Sequence, residues 1–367
     1  MRVVHANKAY WPHVGGVETV VRDLAEGALD RGHDVTVVTA DGPGPDRLDG
    51  VEVLRARIRG RIRSVPMAPG FPRLLLSQRG DVLHVHEPSV LPEAVLALAG
   101  RQVRRRFDRI ALSWHSDIVR QSLLVRGFGP LLRRALEMVD VVLVASPNHL
   151  TSSAWLAPVE HKTIVVPFGV ALERYALTDE VRTRCERFRA ELGTPLVLFL
   201  GRLVYYKGVD RLVAVADELP DARFALVGTG PLESLARRSR AAAEGRLRVL
   251  APVDEVDKVA LLHACDVFVL PSTLPSEAYG IVQVEAMACG KPVVTYDLPT
   301  GVTWVNRHAE TGLVASLAEK GSLARSLQRL LDDTDLAVRL GAGGRRRVET
   351  ALTLDEQVGS TLAAYER

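Results

Sequence analysis

Two carboxylates, Glu277 and Glu285, stand with seven residues between them in the stretch Pro271–Val294, PSTLPSEAYGIVQVEAMACGKPVV. From Gly280 the apolar positions Ile281, Val284 and Ala288 take helical spacing, and Gly290 with Pro292 closes the helix. The first turn of a helix leaves backbone N–H groups without intrahelical partners. The amides of Gly280, Ile281 and Val282 therefore form a site for an anion. A carboxylate just ahead of that turn, Glu277, reaches a sugar hydroxyl, and one further along, Glu285, can hold a ribose hydroxyl pair. Together they suit a ligand whose charge is all diphosphate and whose two ends are polyols, a nucleotide-sugar. The alternative is a plain amphipathic helix with Glu277 as a capping acid and Glu285 in solvent.

Other residues carry compatible chemistry. Arg202 and Lys207, five apart in Gly201-Arg-Leu-Val-Tyr-Tyr-Lys-Gly208, place two cations on a strand-to-helix loop, where they can neutralise a departing diphosphate. The alternative is a pair of surface salt-bridge partners. Gly16, at another strand-to-helix turn, lets a phosphate approach the backbone closely, or is simply a turn glycine. His115 and Asp117 lie at the end of an apolar strand, where sheets of this kind hold ligands. His84 and His86 share one face of a strand. Two histidines can bind a metal, but no third ligand is evident in sequence, so the expectation is one packed histidine and one lining the cleft, with no metal.

The elements that position these residues follow a repeating strand–helix pattern. A strand at Arg2–His5, a helix from Val17 to Asp30 and a strand at Val35–Thr39 open a doubly wound sheet, without the G-x-G-x-x-G of a nicotinamide site. Strands follow at Val51–Arg57, Asp81–His86, Ile110–His115, Val139–Ala145 and Lys162–Pro167. The segment Arg120–Glu137 reads as helical on either side of a break at Gly127–Pro130. Glu173–Gly193 is charged and weakly apolar, and the pattern restarts at Leu196–Leu200. It continues through Arg223–Val227, Leu247–Leu250 and Asp266–Leu270. Leu323–Leu340 and Asp355–Tyr365 are helical. The expected architecture is α/β: two facing doubly wound, Rossmann-like domains with a cleft between them, residues 1–175 and 176–353.

Composition agrees with a two-domain globular chain: 367 residues, 47% hydrophobic and 25% charged. The longest apolar runs are far short of a membrane span, and the start lacks a signal-peptide core, so a cytoplasmic location is expected. The cysteines Cys185, Cys265 and Cys289 form neither a disulfide framework nor a metal spacing. Up to Arg174 there are 23 Lys/Arg against 18 Asp/Glu, and beyond it 24 against 26. The excess is arginine in three clusters, Arg55–Arg63, Arg101–Arg109 and Arg120–Arg134. These suit either an anionic membrane surface, giving peripheral contact at the inner membrane face, or ordinary solvated faces. No nucleic-acid partner is expected.

The run S-E-A-Y-G-I-V-Q-V-E-A-M-A-C-G-K-P-V-V resembles the E-x7-E element of retaining glycosyltransferases of the GT-B fold, family four. Tyr279 stands where that family usually has Phe. The resemblance extends to P-x-x-G-G-V-E around Gly16, to the strand ending in His115, to the G-R-x-x-x-x-K-G loop with Tyr206 in place of Glu, and to Gly228-Thr-Gly-Pro231. The family's N-G-V-D signature is reduced to Phe168-Gly-Val-Ala171. Asp297-Leu-Pro-Thr-Gly301 with Trp304-Val-Asn306 is similar to a bacterial branch that builds surface polysaccharides. The resemblance covers essentially the whole chain. It implies a last helix, about 354–367, that crosses back onto the first domain.

It also implies an enzyme, a retaining hexosyltransferase (EC 2.4), that moves a sugar from a nucleotide-diphosphate donor, with a lean towards GDP-mannose, to a hydroxyl of a glycan, lipid-linked or small-molecule acceptor. Glu285 would hold the ribose. Arg202, Lys207, Gly16 and the amides of Gly280, Ile281 and Val282 would hold the diphosphate. Glu277 and His115 would position the sugar. No Asp-x-Asp ends a strand, so cations and amides would replace a metal as the leaving-group clamp, and no cofactor is expected. The alternatives are a nucleotide-sugar 2-epimerase of the same fold, a phosphorylase, and a non-catalytic sugar-nucleotide binding protein.

Overall fold

A computed structural model describes residues 1–13, 15–41, 44–62, 65–116 and 122–367. The chain divides into two compact units, Met1–Phe168 with Leu354–Arg367, and Gly169–Thr353. The division falls after Phe168 instead of after residue 175, because the chain already packs into the second unit from that point. Val170 bridges to Thr353, and His263 Nε2 donates to the Tyr175 carbonyl at 2.9 Å.

The first unit carries an eight-stranded sheet. From one edge its strands are Thr163–Val165, Val141–Val144, Phe107–Trp114, Gly80–Glu87, Arg2–Ala6, Asp34–Thr39, Val51–Arg55 and Arg47–Leu48. Only the last pair is antiparallel. Parallel strands covered on both faces read as continuous apolar runs, and Val141–Val144 is buried at every position. The helix Gly16–Asp30 turns Val20, Val21, Leu24 and Ala28 inward at helical spacing. Chain order reverses where Arg2–Ala6 meets Gly80–Glu87, with His5 beside His84. The terminal helix Leu354–Glu366 belongs to this unit and buries Val358, Leu362 and Tyr365. The expected break at Gly127–Pro130 is absent: one helix, Ser122–Met138, runs through Pro130. Tertiary packing overrides the local signal there, since Leu132, Ala135 and Leu136 are all core residues.

The second unit is a six-stranded parallel sheet in the order Leu247–Leu250, Arg223–Val227, Leu196–Leu200, Val267–Leu270, Val293–Tyr296, Gly312–Ala315. In order of appearance this is 3-2-1-4-5-6, the doubly wound arrangement in which ligands bind beyond the carboxyl ends of the strands where the order reverses. That point lies between Leu196–Leu200 and Val267–Leu270. Phe199, Phe224, Leu226, Val267 and Val269 pack beneath it. The expected helix Leu323–Leu340 is two helices, Ser322–Asp332 and Thr334–Ala351. Asp333 separates them, and its Oδ1 accepts the Leu336 N–H at 2.9 Å, so a local cap competes with helix continuation. Among the described residues no helix is long and apolar enough to cross a membrane.

Gly208 starts a helix at φ +67°, and a Cβ there would stand 1.9 Å from the Pro271 carbonyl oxygen. Gly245, at φ +72°, has open space around it. Gly245→Ala should therefore cost about 1 kcal/mol, the backbone share alone, and Gly208→Ala more than about 2 kcal/mol. Urea unfolding of both variants checks this, and equal losses would contradict the close approach of the two loops.

Candidate functional site

In the second unit the two loops at the order reversal are joined to each other. The first leaves Leu200 and passes through Arg202 into a short turn, Tyr205–Lys207. The second leaves Leu270 and reaches Glu277 and Gly280. The Thr273 N–H donates to the Tyr206 carbonyl at 2.9 Å. Lys207 Nζ lies 2.5 Å from Glu277 Oε2, and the two side chains retain only 13% and 9% exposure. Ser272 Oγ donates to the same carboxylate oxygen at 2.9 Å, and Thr300 Oγ1 donates to the Glu277 carbonyl at 2.8 Å. Glu277 is thus held at both ends. It is not a capping acid for the helix, because the cap is Gly280 itself.

Gly280 adopts φ +71°, and a Cβ there would meet Leu270 Cδ2 at 2.4 Å. This left-handed residue turns the loop into the helix Ile281–Ala288. The first bond of that helix runs from the Gln283 N–H to the Gly280 carbonyl, 2.9 Å. The amides of Gly280, Ile281 and Val282 come before it, at the positive end of the helix. Arg202 is exposed on the neighbouring loop. Its Nη2 donates to the Tyr206 hydroxyl at 3.0 Å, while Lys207 Nζ lies 5.8 Å from the centre of the same ring. Tyr206 thereby links the two cations. The second unit brings Arg202, Lys207, Glu277 and Gly280 onto two bonded loops.

Glu285 lies one to two turns along the helix, 7% exposed. It is not a solvated acid: Lys258 Nζ stands 3.2 Å away, and the same ammonium lies 2.7 Å from Glu255. Burial opposes the charge on Lys258, but the two carboxylates outweigh it and raise its pKa. Tyr175 is the other neighbour of Glu285; burial first, and then Glu285, pushes its hydroxyl up. Lys258 and Tyr175 gave no sequence signal. Lys258 reads as half of an ordinary helix ion pair with Glu255, and Tyr175 lies far away in the chain. Asp254, at the start of the helix that carries Lys258, caps it by accepting the Asp257 N–H at 2.7 Å and pairs with Arg184.

In the first unit Gly16 opens the helix Gly16–Asp30, and a Cβ at that position would meet nothing. The turn itself does not require glycine there. His115 follows the strand Phe107–Trp114 and is 5% exposed. Its ring stacks on Phe168, with centres 5.3 Å apart at 27°. The residue that replaces the polar start of the N-G-V-D signature thus covers this histidine with an aromatic face. Asp117 lies outside the described residues.

His84 and His86 are both fully buried, so neither lines a ligand surface. A third histidine, His5, joins them from the adjacent strand, with ligand atoms of all three within 4.8 Å of one another. The nitrogens are nevertheless committed. His84 bonds the Tyr365 hydroxyl (2.7 Å) and Ser113 Oγ (2.8 Å). His86 bonds His5 Nδ1 and His115 Nε2, each at 3.0 Å. Only His5 Nε2 meets no partner among the described residues, so a metal would have to displace this network. Nearby, Glu87 and Glu93 are also fully buried, and burial raises the pKa of both carboxyl groups.

Members of the arginine clusters are engaged in ion pairs, one with its side chain buried and one exposed. Arg55 is drawn into an ion pair with Asp41 at 2.7 Å, its side chain 6% exposed, and Arg104 pairs with Asp140 at 2.6 Å. Arg63 and Arg120 lie outside the described residues.

The chain has two doubly wound units, and the second carries two cations and a helix N-terminus at its order reversal. Residues 14–174 match the family described as Glycosyltransferase Family 4, and residues 184–347 that described as Glycosyl transferases group 1. The chain is 32% identical over 360 residues to D-rhamnosyltransferase WbpZ of Pseudomonas aeruginosa, covering 96% of this chain and 92% of that one. It is 31% identical over 375 residues to O-antigen chain mannosyltransferase C of Escherichia coli, covering 100% and 98%. Among solved structures it is similar to Anabaena HepE in complex with UDP-glucose, with TM-score 0.80 at 20% identity over 99% of this chain and 100% of that one. The chain belongs to the family-four glycosyltransferases of the GT-B fold.

The buried histidines predict a pH effect. Burial holds the folded pKa of His5 at about 4, below its ordinary 6.5. The unfolded chain takes up that proton first as pH falls, so His5 supports stability above 6.5 and withdraws it progressively down to about 4. His5→Leu should shrink the loss of stability on acidification by about 1.4 kcal/mol per pH unit within that window. Denaturant melts of both proteins at several pH values read this out; parallel pH profiles would contradict it.

Proposed function

We propose that this glycosyltransferase is a retaining, metal-independent hexosyltransferase. It would take a sugar from a nucleotide-diphosphate donor, GDP-mannose by preference, and pass it to a hydroxyl acceptor in polysaccharide or glycolipid assembly. The observation that carries this reading is the Lys207–Glu277 pair at the order reversal of the second unit, flanked by Arg202 and the amides of Gly280–Val282. An ammonium has three donor protons. One is occupied by Glu277, and the others are available to diphosphate oxygens. Negative charge grows on the diphosphate as the sugar C1–O bond breaks, and preorganised cations and amides stabilise that charge without needing to reorganise. Glu277, fixed by Ser272 and Thr300, would hold sugar hydroxyls. Glu285, set by Lys258, would hold the ribose. From the first unit, Gly16 would admit a phosphate and His115 would hydrogen-bond the sugar.

In this reading the acceptor oxygen forms its bond to C1 on the face the phosphate leaves, and the acceptor proton passes to the departing phosphate oxygen. The clamp supplies the charge that a metal would otherwise supply. Family-four relatives named for mannosyl transfer, among them GDP-mannose-dependent alpha-(1-6)-phosphatidylinositol monomannoside mannosyltransferase of Mycolicibacterium smegmatis at 30% identity over 91% of this chain, support the donor and a glycolipid or polysaccharide acceptor. A lipid-linked acceptor would bring the protein to an anionic membrane surface, and sedimentation with anionic liposomes, but not with neutral ones, is the corresponding expectation.

Thermal shifts against GDP, UDP, ADP and TDP and their sugars should single out the guanosine ligands. With GDP-mannose, excess chelator and an alcohol acceptor, transfer should continue and the product should keep the donor's anomeric configuration by NMR. Lys207→Ala should raise the barrier to transfer by about 2–4 kcal/mol, and Glu285→Ala should chiefly weaken donor binding. Loss of activity on chelation, an inverted product or an unchanged rate in Lys207→Ala would each refute the corresponding part.

A further inference from the structure

We propose that the imidazole chain His5–His86–His115 in the first unit sets the tautomer of His115, so that its Nδ1 carries the proton and donates to an oxygen of the bound sugar. The last clause rests on the reading of His115 given above; the tautomer assignment does not.

Two hydrogen bonds of 3.0 Å run through this chain, His5 Nδ1 to His86 Nε2 and His86 Nδ1 to His115 Nε2. All three rings are at most 5% exposed. Burial pushes His5 to about 4 and His115 to about 3, the latter helped by Lys8 and His149. His86 is driven well below its ordinary value by burial and by the adjoining histidines. The charged and titratable groups around the chain do not reverse this. Lys8 is a cation, and its Nζ donates to the Pro88 carbonyl. Glu87 and Glu93 are themselves held towards the neutral form by burial. All three imidazoles are therefore neutral, with one ring proton each.

Three neutral rings joined by two such bonds allow only two proton arrangements. In one, each ring donates from Nε2 towards His5, and the His5 Nε2–H ends the chain. In the other, each ring donates from Nδ1 towards His115, and the His115 Nδ1–H ends it. The deciding atom is His5 Nε2, which is buried and has no hydrogen-bond partner among the described residues. The first arrangement would strand a buried N–H there. The second leaves only a lone pair, and orphaned buried donors are rarer than under-satisfied acceptors. The second arrangement prevails. The rings of His86 and Phe168 both lie with centres 5.3 Å from that of His115, at 24° and 27° to its plane, and restrict the ring's orientation. His84 lies outside the chain, its nitrogens being held by Tyr365 and Ser113. His5 and His86 are thus positioning residues: they determine which atom of His115 bears hydrogen without touching the substrate.

Nitrogen NMR of the full chain with 15N-labelled histidine, at neutral pH, tests this directly; His115→Gln assigns the resonances. The expected spectrum has a protonated, pyrrole-type Nδ1 and a bare, pyridine-type Nε2 at His115. A protonated Nε2, or averaging between the two forms, overturns the proposal in the native protein without any need for a folded variant. His86→Leu should release His115 into a tautomer mixture and lower kcat about tenfold, the scale of one hydrogen bond, with little change in donor KM. His86→Asn, which keeps a donor near the Nδ1 position, should restore both the spectrum and most of kcat. A His115 spectrum unmoved by His86→Leu would overturn the relay. Intact transfer by His115→Phe would instead overturn the sugar contact while leaving the tautomer in place, so the two failures are told apart.

Discussion

The ion pair between Lys207 and Glu277 ties together the two loops at the point where the strand order of the second unit reverses. Its value is not mainly stability. Replacing a buried charge pair by apolar side chains of similar volume is often neutral or stabilising, by about 1–4 kcal/mol. What the pair provides is orientation. It fixes an ammonium next to a helix N-terminus and a carboxylate next to the same turn, and the surrounding geometry follows from it. Ser272 and Thr300 hold Glu277 from behind. The left-handed Gly280 turns the chain into the helix immediately after it. A backbone bond from Thr273 to Tyr206 keeps the loops in register.

The family resemblance then gains a physical basis. Tyr206 stands where the family pattern noted in the sequence has an acid before the lysine; its hydroxyl accepts from Arg202 and its ring lies near Lys207. The loop remains cationic and ordered. Phe168 likewise replaces a polar group with a ring that stacks on His115. Each departure places an aromatic ring next to a residue of the proposed site, and at Tyr206 the hydroxyl still hydrogen-bonds Arg202.

Much of this was legible in sequence because it is local. The strands are continuous apolar runs, the helix Gly16–Asp30 has a clear apolar face, and Glu277, Gly280 and Glu285 sit on one strand–loop–helix unit. The parts that were not legible are long-range. Lys258 reaches Glu285 from another helix, Tyr365 reaches His84 across 281 positions, and His5 reaches His86 across 81. No spacing rule connects such residues, since only the sheet register brings them together. The two-histidine strand shows the difference. Alternation correctly put His84 and His86 on one face, but it gave no information on what covers that face, and both are buried. Local signals also failed where packing outweighed them, as at Pro130 inside its helix, and where a single side chain outweighed the periodic pattern, as at Asp333.

The most direct test of the central claim is a crystal structure of the chain with a nucleotide-diphosphate-sugar bound. The account predicts diphosphate oxygens on Lys207 Nζ, Arg202 and the amides of Gly280–Val282, with the Lys207–Glu277 contact retained and the ribose on Glu285. A diphosphate bound away from those two loops, or a metal ion bridging it in their place, would contradict the claim that this ion pair organises the donor site.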